Sequence, residues 1–133
     1  MQIAPVVEFR GVGKRFAGIA ANENISFTVN KGAVHAVVGE NGAGKTTLMN
    51  LLAGLHRPDA GSILVRGEPV DFHGPQAAHH AGIGMVHQHF MLVERFTILQ
   101  NILLSCENSY GLFPQLQARQ KLAALCQSLG LAL

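Results

Sequence analysis

A chain of 133 residues has room for one domain with a modest core. Its charged fraction of 14% is well below the roughly 25% of an average globular protein, so part of its surface is expected to be covered by something else. The formal net charge of +2 is too small to argue for a nucleic-acid or membrane-surface partner, and no apolar run approaches the ~18 residues that span a bilayer.

The opening MQIAPVVEFR does not read as a secretory leader, because no basic segment precedes the apolar run and Glu8 and Arg10 interrupt it. VVEFRGVGKRF begins as a short β-type run that is expected to break at Gly11 and Gly13. In ISFTV, Ile25, Phe27 and Val29 alternate with Ser26 and Thr28, which predicts a half-buried strand closed by a turn at NKG. VHAVV, residues 34–38, is nearly all apolar and predicts a strand covered on both faces, as in a parallel sheet flanked by helices. After a glycine-rich loop, Leu48, Leu51, Leu52 and Leu55 recur at i, i+3, i+4 and i+7. A helix with one buried face follows, ended by Gly54 and Pro58.

GSILVRGEPVDF reads as two short strands about a turn at Gly67 and Glu68. Pro75 suits the first position of a short helix that stops near Gly82, and IGMV, residues 83–86, predicts one more apolar strand. Thr97 is placed to cap a helix over TILQNILLSC, and QARQKLAALCQSLG is helical up to Gly130. Cys106 and Cys126 stand far apart in no CxxC arrangement and are expected to be free thiols of a reducing compartment.

Between the predicted strand over 34–38 and the leucine-faced helix lies GENGAGKT, Gly39 through Thr46, which satisfies G-x-x-x-x-G-K-[ST]. The spacing has a physical basis. Backbone N–H groups from about Asn41 to Thr46 form an anion-binding nest, and glycine at 42 and 44 permits φ > 0 and close approach to phosphate oxygens. The helix beginning near Gly44 adds roughly +0.5 of an elementary charge at its N-terminus. Lys45 is placed to reach the outer phosphates, the Thr46 hydroxyl to ligate Mg²⁺, and Thr47 to donate to the innermost phosphate. The predicted nucleotide-binding set is Gly39, Glu40, Asn41, Gly42, Ala43, Gly44, Lys45, Thr46 and Thr47. A glycine-rich helix entry that binds nothing leaves the position of Lys45 unexplained.

Three segments resemble the ATP-binding subunits of ABC transporters: GENGAGKTTLMNLLAGLHRPDAGSILVRG (39–67), GIGMVHQHFMLVERFTILQNILL (82–104) and GVGKRFAGIAANENISFTVNKG (11–32). The resemblance implies an α/β fold: a P-loop NTPase core with an N-terminal antiparallel β-subdomain and the start of a helical subdomain. Residues 6–93 would hold the β-subdomain and the core, and 94–133 the helical part. It implies that Phe16 stacks on adenine and that Gln88 is the Q-loop glutamine, reaching Mg²⁺ and the attacking water.

ATP and Mg²⁺ are the implied ligands. The implied partners are permease transmembrane subunits, a second ABC nucleotide-binding domain and, indirectly, a solute-binding protein, with no nucleic acid. The implied place is the cytoplasmic face of the inner membrane. IGMVHQHFMLV is most similar to the ATPases of simple-sugar and nucleoside importers. Residues 94–96, ERF, depart from the Pro-containing stretch expected after MLV, in a loop that faces the transporter in the family, which bears on coupling rather than fold.

The family's catalytic cycle also uses an Asp-Glu pair at a strand end, a Leu-Ser-Gly-Gly-Gln type signature and a switch histidine. No Asp-Glu dipeptide and no Gly-Gly pair occurs here, and none of the seven histidines lies in a switch context. The expectation is an N-terminal portion of such a domain, incompetent in hydrolysis by itself, because ground-state binding alone does not speed a chemical step. Exposed apolar sheet edges should also lower its solubility.

Other readings are weaker. DFHG (71–74) fits the D-x-x-G element of small GTPases, but no Asn-Lys-x-Asp motif accompanies it. A P-loop kinase needs lid arginines, and Arg57, Arg66 and Arg95 are scattered. His79, His80, His87 and His89 pose a metal site that no cysteine or carboxylate completes. A non-catalytic remnant is the remaining alternative.

Overall fold

The computed structural model describes residues 5–87, 92–105 and 114–131. The chain forms two compact units, Met1–Val86 and His87–Leu133. In the first, β1 (Pro5–Phe16), β2 (Ile19–Asn30), β3 (Ala60–Val65) and β4 (Glu68–Val70) make one antiparallel sheet in the order β2-β1-β3-β4.

The expected break at Gly11 and Gly13 is a bulge inside a continuous strand. Phe9 pairs with Phe27 and Val12 with Ile25, so β1 carries one extra residue at that point. Gly11 takes φ 57° there, and its N–H donates to Ser26 Oγ at 2.8 Å. The bulge returns Val12 to the face that already buries Val7 and Phe9. Both β-hairpins close with two residues at positive φ, Ala17–Gly18 and Arg66–Gly67, the mirror-image turn that matches strand twist. The second turn therefore sits one residue earlier than Gly67–Glu68.

Helix α1 (Lys45–Leu52) lays Leu48 and Leu51 on this sheet, and Val7, Phe9, Val12 and Ile63 complete the main core. Each such side chain contributes roughly 1.5–3 kcal/mol on full burial, which anchors α1 against the strands. Helix α2 (Pro75–His80) puts Ala78 against Val65 and Phe72 in a second cluster.

Two predicted strands do not form. VHAVV (34–38) and IGMV (83–86) carry no ladder, and Val34 is fully exposed. β-propensity expresses itself through pairing, and no strand among the described residues pairs with either segment. His35 nevertheless stacks on Phe27 with ring centroids 5.0 Å apart.

In the second unit, α3 (Ile98–Ser105) packs with α4 (Pro114–Leu129). Thr97 caps α3 reciprocally: Gln100 N–H donates to Thr97 Oγ1 at 3.3 Å and Thr97 N–H to Gln100 Oε1 at 2.8 Å. The Asn101 carboxamide ties down the residues ahead of the helix, accepting from Val93 N–H at 2.8 Å and donating to the Phe96 carbonyl at 3.2 Å. α4 buries Ala118 and the free thiol of Cys126, and ends at Gly130 with φ 67°. Cys106 lies outside the described residues. Among the described residues, no helix is long and apolar enough to cross a membrane.

Candidate phosphate-binding site

From Gly39 the chain closes a turn in which Ala43 N–H donates to the Glu40 carbonyl at 3.2 Å, with Gly42 at φ 85°. Gly44, at φ 83° and ψ 6°, is the N-cap of α1, and Leu48 N–H makes the first helical bond to its carbonyl at 2.9 Å. The N–H groups of Lys45, Thr46 and Thr47 precede that bond and have no acceptor within the helix. Among the described residues no side chain caps them, and no acidic residue stands in the first turn. Amide dipoles at a helix start are thereby left for an anion.

Gly44 meets two demands at once. Its backbone is left-handed, and a Cβ there would collide with the Ala21 carbonyl oxygen and lie 2.7 Å from Asn22 Nδ2. Asn22, on β2 and buried, donates from Nδ2 to the Gly44 carbonyl at 3.2 Å. Its Oδ1 is buried with no hydrogen-bond partner among the described residues.

The Lys45 ammonium stands 2.7 Å from the Gly39 carbonyl and 2.7 Å from that of Glu40. These neutral partners fold the side chain across its own loop without cancelling its charge. Thr46 is exposed and Thr47 half-buried. Among the described residues no group of His, Cys, Asp or Glu side chains gathers to hold a metal. A divalent ion here would rest on the Thr46 hydroxyl and ligand oxygens, which suits Mg²⁺ with its preference for phosphates and retained water. Gln88 lies outside the described residues, as does His89; the His79 and His80 rings are 6.4 Å apart.

Phe16 ends β1 with 42% of its surface exposed. The His56 ring meets it at 5.2 Å and 71°, and Lys14 Nζ stands 5.5 Å from its centroid. Lys14 is held in turn by Asp59 Oδ1 at 2.8 Å, while Arg15 N–H donates to Asp59 Oδ2 at 2.7 Å. The Lys14 hydrogen bond, and after it the Arg15 N–H, keep the Asp59 carboxyl below its usual range. Lys14 and Asn22 are cross-strand partners. One rung of the β1–β2 hairpin therefore bears both the residue beside Phe16 and the residue against Gly44.

Sequence reasoning missed Lys14, Asn22, His56 and Asp59. For Asn22 the alternation Ile25, Phe27, Val29 points the wrong way, because β2 carries an extra residue between Asn22 and Ile25, where Asn24 takes φ 50°. The phase reverses there, and Asn22 turns inward. Asp71 of DFHG follows the β3–β4 hairpin and faces Arg57 at 3.5 Å.

The sequence model of the ABC transporter family matches residues 22–133. The chain belongs to this family. The guanosine import ATP-binding protein NupO of Bacillus subtilis is 49% identical over 127 residues, which covers 95% of this chain and 25% of that protein. The ribose import ATP-binding protein RbsA 3 of Rubrobacter xylanophilus is 43% identical over 117 residues, covering 88% and 24%. A solved nucleotide-free ATP-binding cassette from an ABC transporter superposes with a TM-score of 0.72 at 28% identity, over 79% of this chain and 42% of that one. The chain thus spans about a quarter of the length of these curated relatives. ABC membership sets aside the GTPase and kinase readings. Phe16 precedes the residues that the ABC model matches.

Proposed function

We propose that this chain supplies nucleotide-holding elements of an ATP-binding subunit that energises import of a small solute of the nucleoside or simple-sugar type. One observation carries the reading. The Gly39–Thr47 loop leaves helix-start amides without acceptors in their own helix and holds an uncancelled ammonium, Lys45, on the loop's Gly39 and Glu40 carbonyls. In this reading the amides of residues 42–47 and Lys45 hold the phosphates, Thr46 with Gln88 serves Mg²⁺, and Phe16 stacks the base. Bound Mg²⁺ would supply charge neutralisation at the phosphates.

The partners we propose are permease subunits, a second nucleotide-binding domain and, through the permease, a solute-binding protein, at the cytoplasmic face of the inner membrane. Residues 6–93 serve as β-subdomain and core, and 94–133 as the start of a helical subdomain. The absence of Asp-Glu and Gly-Gly pairs supports binding without turnover by residues 1–133 alone.

Competition of ATP with a fluorescent analogue tests this. Saturable binding is expected in the wild type and not in Lys45→Ala, with both hydrolysis rates at background. Equal binding by the two would overturn the phosphate reading, and Lys45-dependent turnover would overturn the incompetence.

A further inference from the structure

We propose that Asn22 is a positioning residue of the nucleotide site: from β2 its carboxamide holds the Gly44 carbonyl and thereby sets where the first amides of α1 point. The inference rests on the reading of Gly39–Thr47 as a phosphate loop. Asn22 Nδ2 donates to the Gly44 oxygen at 3.2 Å, and that same oxygen accepts Leu48 N–H at 2.9 Å. Both acceptor positions of the N-cap carbonyl are therefore in use, and the first turn cannot swing about Gly44 without losing one of them. The carboxamide has a single workable orientation, because turning it over would set Oδ1 against another acceptor.

The loop backbone also lies directly on β2, since Ala21 O and Asn22 Nδ2 fill the space that a Cβ at Gly44 would take. Asn22 thus fixes a contact that is already close, rather than spanning a gap.

The other end of the side chain separates this role from simple packing. Oδ1 is buried without a partner among the described residues, which costs stability, and an apolar side chain of the same size would avoid that cost. What the carboxamide contributes lies at its donor end, on the loop. The rung is shared as well: Lys14, the cross-strand partner of Asn22, stands over the Phe16 ring and is pinned by Asp59. Asn22 sits where the strand pair bearing Phe16 meets the phosphate loop.

The test is Asn22→Leu in the full chain, which removes donor and orphan oxygen together. The dissociation constants for inorganic triphosphate and for ATP should rise by the same factor, about 3- to 10-fold for one neutral hydrogen bond, while the melting temperature holds or rises. Without any ligand, amide exchange at Leu48 should accelerate by about the same factor. Unchanged triphosphate affinity and unchanged Leu48 exchange would overturn the proposal, whatever the melting temperature does. Asn22→Asp, which sets a carboxylate oxygen against the Gly44 carbonyl, gives the same two readouts if the leucine variant does not fold. Lys45→Ala is measured alongside. Triphosphate binding indifferent to Lys45 would remove the phosphate reading, and Leu48 exchange would still decide whether Asn22 sets the loop.

Discussion

Lys45 Nζ stands 2.7 Å from the carbonyl oxygen of Gly39, across the loop that its own residue ends. A second carbonyl, that of Glu40, shares the ammonium. An ammonium held by two neutral oxygens keeps its full charge for an incoming anion, and hydrogen bonds to ionised groups are roughly twice as strong as neutral ones. Lys45→Ala should therefore weaken triphosphate binding by about 10- to 100-fold, the equivalent of about 1.5–3 kcal/mol. Calorimetric titration checks this, and the loss should shrink as salt is added.

The two loop glycines should respond differently to alanine. At Gly42 a Cβ would meet nothing within 4 Å, so the cost is that of positive φ alone, about 1 kcal/mol. At Gly44 the same backbone cost is joined by collision with Ala21 O and crowding of Asn22, and about 2–4 kcal/mol in total is expected. Urea unfolding of the two variants gives the comparison. Equal losses would mean that β2 does not press on the loop.

Base and phosphates should be separable through Phe16. Phe16→Ala removes the proposed stacking surface, worth about 1–3 kcal/mol per base, and should weaken ATP while leaving inorganic triphosphate unchanged. Competition binding with the two ligands side by side reads this directly. Equal loss for both would assign Phe16 to the packing of His56 and Lys14 instead.

Acid should loosen the same corner in a defined direction. Lys14, then Arg15 N–H, lower the Asp59 pKa on folding, so the folded chain binds that proton less readily than the unfolded one. The contribution is complete above the ordinary aspartate value of about 3.9 and disappears as pH falls through the lower folded value. The melting difference between wild type and Asp59→Asn should stay constant from neutrality down to about pH 5 and close below about pH 4. A difference that grows on acidification would contradict the Lys14–Asp59 arrangement.

Local pattern carried much of this fold, and non-local pairing carried the rest. GENGAGKT with Leu48 and Leu51 behind it is a local signal, and the loop and α1 lie where it puts them. The Thr97 cap and the Gly130 stop are local too. The glycines of β1 were misleading. Whether Gly11 breaks a strand or bulges it depends on Ser26 and Ile25 across the ladder, which no short window contains. VHAVV and IGMV have strand composition without a described partner, so composition overstated them. Lys14, Asn22 and Asp59 come together only through register, and the extra residue near Asn24 concealed the inward turn of Asn22.

In the proposed site, main-chain amides at the start of α1 grip phosphate. The most direct measurement is a backbone amide NMR titration of the full chain with inorganic triphosphate and Mg²⁺. Saturable shifts confined to residues 39–48 and abolished by Lys45→Ala are predicted. Shifts that fall elsewhere, or that persist unchanged without the Lys45 ammonium, would contradict it.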